Sequence, residues 1–159
     1  MAIIKKFRIK SFKEQETLLQ LDKVSMFYDK RRILNDISFK VNRAEVLGLL
    51  GPNGVGKSTI FKIIMNIEQQ KSGKILLNGI DCTNLPIHER SNKFHLSYCP
   101  QYGGYFYDLT VLENLTAVAE IHIKDKNFRL SKIDKIVGQF GFDSILNVKA
   151  KHVSGGERR

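Results

Sequence analysis

An α/β fold is what this sequence predicts, on three observations. β-forming segments crowd residues 18–50, a glycine-rich loop at 51–56 joins a short apolar strand to a helix, and helix-start signals dominate residues 110–140. Residues 18–27 (LLQLDKVSMF) alternate in part and are rich in β-formers, as a strand requires. Residues 28–32 are a polar turn and residues 33–41 (ILNDISFKV) a second strand, so the two make an antiparallel ribbon. Residues 42–44 turn the chain again. Residues 45–50 (EVLGLL) are a short apolar run, expected of a strand buried on both faces. Residues 59–66 (TIFKIIMN) are dense in apolar side chains and helical by length. Residues 74–77, followed by Asn78-Gly79, predict a strand entering a tight turn. Residues 94–99, ended by Pro100, predict another strand. Thr110 and Glu113 form a capping box that opens a helix to about Ile123, and residues 131–140 predict a second helix.

Composition narrows the class. The chain has 159 residues, 42% hydrophobic and 26% charged, which is ordinary globular usage and excludes disordered, collagen-like and disulfide-dense proteins. No apolar run approaches the ~18 residues of a membrane-spanning helix. The start carries scattered bases and no apolar core, so it reads as no secretory signal. Cys82 and Cys99 form no CxxC pair and read as free thiols of a cytoplasmic protein. The net charge of +10 invites a nucleic-acid or anionic-membrane partner. Its distribution argues otherwise: residues 1–13 carry +5, residues 149–159 carry +3, and the 135 between them only +2. No nucleic-acid partner is expected from so balanced a body.

The chemistry sits in Gly51-Pro52-Asn53-Gly54-Val55-Gly56-Lys57-Ser58, which fits G-x-x-x-x-G-K-[ST]. The glycines permit backbone angles that a Cβ forbids, so successive N–H groups can point at one anion. The helix that starts near Lys57 adds the positive end of its dipole. Lys57 can reach β- and γ-phosphates, and the Ser58 hydroxyl can ligate Mg²⁺. A chance match costs about 1 in 200 for a chain of this length, and the strand before and helix after the loop sharpen it further. The acid that would complete the metal site is expected on a later apolar strand ending in Asp-Glu. No such run follows Ser58.

Residues 51–59 (GPNGVGKST) resemble the Walker A loop of ATP-binding-cassette ATPases. Val153-Ser154-Gly155-Gly156-Glu157 is similar to their LSGGQ-type signature, with Val153 in place of Leu, and Pro100-Gln101 between them resembles the Q-loop. The resemblance covers about residue 17 to the end. Leu85-Pro86-x-His88-x-Arg90, Tyr98-x-Pro100-Gln101 and the Gly-Gly-Glu-Arg-Arg159 ending are similar to the lipopolysaccharide-export members of that family, with importers of branched-chain amino acids as the nearest alternative. The fold so implied is a P-loop NTPase core with an antiparallel β ribbon and a helical subdomain, truncated at its C-terminal side. Residues 1–16 would be a basic extension and residues 17–159 a partial ATP-binding domain.

The resemblance also implies roles. ATP and Mg²⁺ would be bound by residues 51–59. Tyr28 would stack on adenine. Gln101 would sense the γ-phosphate and Mg²⁺. Ser154, Gly155, Gly156 and Glu157 would cap ATP held by a second copy or a second ATP-binding subunit, and Ser154-x-x-Glu157 is itself a capping box whose free N–H groups suit an anion. Residues 101–109, aromatic through Tyr102, Tyr105, Phe106 and Tyr107, would receive integral membrane permease subunits, although packing on the domain's own helices explains those rings equally well. The intact protein would work at the cytoplasmic face of the inner membrane, energising export by ATP-driven dimer closure. The 159 residues alone would bind ATP weakly without turning it over. A different ABC transporter, a non-transport ABC protein and an inactive truncated product are the alternatives.

Three departures are visible. Ala44 stands where the family usually has Gly in a tight turn. Tyr107-Asp108 replaces a segment that tends to be basic in export members. Residues 1–16 exceed the usual start and could be an amphipathic membrane-surface segment, a poorly ordered tail or an extra edge strand.

Overall fold

The computed structural model describes residues 3–8, 16–101 and 103–157, the first of these through their backbone. The chain divides into two compact units, Met1–Tyr98 and Cys99–Arg159.

The first unit carries both sheets. β2 (Thr17–Tyr28) and β3 (Arg31–Asn42) pair antiparallel as the ribbon that the sequence predicts. β5 (Ser72–Leu77) adds to the other edge of β2, and β6 (Ile80–Asp81) follows through the Asn78-Gly79 turn, giving the order β3-β2-β5-β6. β1 (Ile3–Arg8) pairs antiparallel with β4 (Glu45–Leu50), so these six N-terminal residues form an edge strand. β4 departs from its expected burial. Val46 is 52% and Leu50 47% exposed, because β4 has one strand neighbour among the described residues, whereas burial on both faces requires a wider, covered sheet.

α1 (Lys57–Ile64) follows the glycine-rich loop. Its apolar stripe of Ile60, Ile63 and Ile64 at helical spacing packs on Leu21, Val24, Leu34 and Ile75 of the sheet. This is the core that seats the loop.

Residues 94–99 form no strand. Phe94 closes α2 (Ile87–Phe94), and His95 adopts a left-handed conformation (φ 52°) that breaks any extended run. Leu96 then turns onto the core. α2 itself gave no apolar signal: its buried residue is Arg90.

The second unit is helical. α3 (Val111–His122) opens with the expected capping box, Thr110 Oγ1 accepting from the Glu113 amide and Glu113 accepting from the Thr110 amide. α4 (Lys126–Phe140) starts five residues before the expected position, because Asp125 caps it by accepting from the Phe128 amide at 2.7 Å. The two helices border an apolar cavity of about 470 Å³, lined among others by Val118, Ile133, Ile136 and Phe140. No described helix is long and apolar enough to cross a membrane.

Candidate functional site

The site begins where β4 hands the chain to α1. Gly54 (φ 80°) and Gly56 (φ 94°) both lie in the left-handed region that glycine favours. Their surroundings differ. A Cβ on Gly54 would meet nothing within 4 Å, whereas one on Gly56 would lie 2.7 Å from Leu34 Cδ2. Gly56 is therefore needed for close approach to the ribbon, and Gly54 for backbone direction alone. Gly51, Pro52, Asn53, Gly54 and Ser58 are exposed, Val55 is half-buried, and Thr59 is buried beneath them.

Gly56 is also the N-cap of α1 and provides no side-chain cap. The first amides of a helix lack intrahelical partners, so this end offers free donors and the positive dipole end to an anion. Lys57 folds back over the loop, its Nζ donating to the carbonyls of Gly51 and Pro52 at 2.6 Å each. That ammonium therefore stands over the mouth of the loop. Free amides, an ammonium and the exposed Ser58 hydroxyl in one short loop fit a polyphosphate and its Mg²⁺.

Tyr28 ends β2 and is 43% exposed. Its hydroxyl donates to Glu68, and Glu68 also accepts from Lys62 Nζ at 2.8 Å. Burial pushes the Glu68 carboxyl up, and the bonds from Lys62 and Tyr28 outweigh it, leaving the carboxyl below its ordinary value. The bond to Glu68 raises the Tyr28 phenol above its own. Sequence reasoning singled out Tyr28 but missed Glu68 and Lys62, which no motif marks.

The remaining expected residues lie in the second unit. Gln101 is exposed beside Pro100 at its start. Tyr102 lies outside the described residues. Tyr105 lines the cavity between α3 and α4, while Phe106 and Tyr107 are 59% and 50% exposed. Tyr105 thus packs on the helices of its own unit, and its ring lies 4.8 Å from that of Tyr107. Asn114 holds this loop, accepting from the Phe106 amide at 2.7 Å and donating to the Phe106 and Thr110 carbonyls. The loop is tied in turn to the segment before the signature, through Ala150 N–H to Leu109 (2.9 Å), Lys151 N–H to Tyr107 (3.0 Å) and Lys151 Nζ to Asp108 (2.7 Å). Ser154 and Glu157 form a reciprocal capping pair, the Ser154 amide donating to Glu157 at 3.0 Å and the Glu157 amide to Ser154 Oγ at 3.4 Å. Gly155 and Gly156 between them are exposed.

The profile of the ABC transporter family matches residues 34–159. The chain belongs to the ABC transporter family. It is 39% identical over 145 residues to the lipopolysaccharide export system ATP-binding protein LptB of Haemophilus influenzae, covering 90% of this chain and 59% of that protein. It is also 39% identical over 132 residues to an ABC transporter ATP-binding protein of Rhizobium meliloti, covering 83% of this chain and 48% of that one. Among solved structures, a nucleotide-free ATP-binding cassette from an ABC transporter superposes with a TM-score of 0.73 over 89% of this chain and 61% of the other, at 22% identity. The fold is thus that of an ABC ATPase cassette, and the chain spans about half to three fifths of the length of these relatives.

Proposed function

We propose that this chain is the nucleotide-binding part of an ABC transporter ATPase that energises lipopolysaccharide export. One observation supports the nucleotide reading: after β4, left-handed Gly54 and Gly56 lead into the uncapped start of α1, with Lys57 Nζ folded onto the Gly51 and Pro52 carbonyls. In this reading the loop amides orient the phosphates, Lys57 leaves the Gly51 and Pro52 carbonyls to pair with them, and Ser58 offers its hydroxyl to Mg²⁺. Bound Mg²⁺ supplies charge neutralisation of the phosphate oxygens. The Tyr28 ring offers a stacking face for adenine. Gln101, Ser154, Gly155, Gly156 and Glu157 keep the roles that the family resemblance assigns them, the last four toward the nucleotide of a second copy.

Similarity to the Haemophilus protein supports the export substrate, and the exposed Phe106 and Tyr107 support a membrane-subunit partner at the cytoplasmic face.

Calorimetric titration with MgATP tests the core of the proposal. Saturable binding is expected. Absence of binding would overturn it. Purification with the membrane subunits it engages, followed by mass spectrometry of bound lipid, tests the substrate. A complex free of lipopolysaccharide that binds branched-chain amino acids would favour an importer instead.

A further inference from the structure

We infer that Glu68 is a positioning residue for the nucleotide-base platform: paired with Lys62, it anchors the phenol of Tyr28 to the helix that begins at the phosphate loop. This rests on the adenine role proposed above for Tyr28.

The anchor joins parts that are 40 residues apart in the chain. Glu68 lies just past the end of α1 and is folded back onto it, with the Ile67 and Glu68 amides donating to the Lys62 carbonyl at 2.8 and 3.4 Å. Its two carboxylate oxygens are divided, Oε2 accepting from Tyr28 and Oε1 from Lys62. The Tyr28 hydroxyl also interacts with the Thr59 side chain. Thr59 and Lys62 are three residues apart and therefore neighbours on one helical face. The phenol tip thus lies along α1, while two fifths of the residue stays open to solvent.

Two consequences follow from that arrangement. A phenol held at its tip cannot swing freely about its Cα–Cβ bond, so the place of its ring is set before a base arrives, which lowers the ordering cost of binding. Because the same helix starts at Gly56, the separation between stacking face and phosphate cradle is set as well. Lys62 makes the carboxylate tolerable here. A lone anion beside a triphosphate site would repel the ligand, and the ammonium at 2.8 Å cancels its charge.

The experiment compares two probes on the 159-residue protein, MgATP and inorganic tripolyphosphate, which has no base. Glu68→Ala is expected to weaken ATP about three- to tenfold, the worth of one net hydrogen bond, and to leave tripolyphosphate unchanged. Glu68→Gln, which keeps an acceptor, should stay within about twofold of the parent for ATP. Tyr28→Phe removes the same bond from the other side, so it should match Glu68→Ala, and the double variant should be no weaker than either single one. Should Glu68→Ala fail to fold by circular dichroism, Tyr28→Phe carries the test alone. Equal losses for both probes, or unchanged ATP affinity in Glu68→Ala and Tyr28→Phe while Tyr28→Ala weakens ATP, would overturn the positioning role. Unchanged ATP affinity in Tyr28→Ala would overturn the platform reading and this inference with it.

Discussion

The guanidinium of Arg90 donates to the carbonyl of Ile64 at 2.6 Å, tying α2 to the last turn of the helix that starts at the phosphate loop. Nη1 also reaches Ile63 at 2.9 Å, Nη2 reaches Cys82 at 2.6 Å and Thr83 at 2.9 Å, and Nε reaches Leu85 at 2.8 Å. The residue is fully buried, and these partners are backbone carbonyls rather than a carboxylate. Carbonyls at the end of α1 carry the negative end of its dipole, which suits a cation. Arg90→Ala should therefore cost about 3–5 kcal/mol of stability, since it leaves buried acceptors unpaired. Arg90→Lys should recover little, because an ammonium cannot span this fork. Urea unfolding measures both; a loss for Arg90→Ala below about 1 kcal/mol would contradict the clamp.

The two loop glycines separate folding from conformational freedom. Gly56→Ala puts a methyl 2.7 Å from Leu34 Cδ2 and 3.2 Å from the Ile33 carbonyl. It should destabilise the protein by about 2–3 kcal/mol, combining overpacking with left-handed strain. Gly54→Ala meets open space and should cost only about 1 kcal/mol. Lys57→Met should leave the melting temperature nearly unchanged, since its bonds lie at the surface, yet weaken MgATP by about tenfold or more through loss of a charged partner. Calorimetry and thermal melts on the three variants check the ordering.

What the sequence could reveal follows from how local each device is. The ribbon, the 51–58 loop and the capping box at Thr110 are written in residues that touch their chain neighbours, so periodicity and spacing exposed them. α2 escaped because its inward side chain is a guanidinium, and apolar periodicity is silent about buried arginine. The false strand at 94–99 reads as β by composition, but His95 turns left-handed and no described strand pairs with it. Glu68 and Lys62 acquire meaning only when β2 is laid against α1, a juxtaposition that tertiary packing alone creates.

Ala44 gives a stability test free of the site. It holds φ 57° in the turn between β3 and β4, a region that costs a residue with a Cβ about 1–2 kcal/mol. Glycine relieves that strain and gives back about 0.5–1 kcal/mol through greater freedom in the unfolded chain. Ala44→Gly should therefore stabilise by about 0.5–1 kcal/mol, a rise of about 1–4 °C in melting temperature. An unchanged or lower value would mean that the turn relaxes without glycine.

The capping box on α3 predicts acid sensitivity with a definite sign. The backbone and side-chain bonds from Thr110 hold the Glu113 carboxyl below its ordinary value of 4.5. A lowered folded value means that the native state prefers the carboxylate. Its contribution is complete above 4.5, where the unfolded chain is also ionised, and it fades as pH falls through the lower folded value. Asp108, held down by Lys151, and Glu157, held down by Ser154, act in the same direction in the same unit. Helix signal by circular dichroism should thus fall below pH 4.5, and Glu113→Gln, which keeps an acceptor but cannot titrate, should flatten part of that fall while starting from a less helical neutral state. An acid profile identical in both proteins would mean that the Thr110–Glu113 pair contributes nothing to holding the first turn of α3.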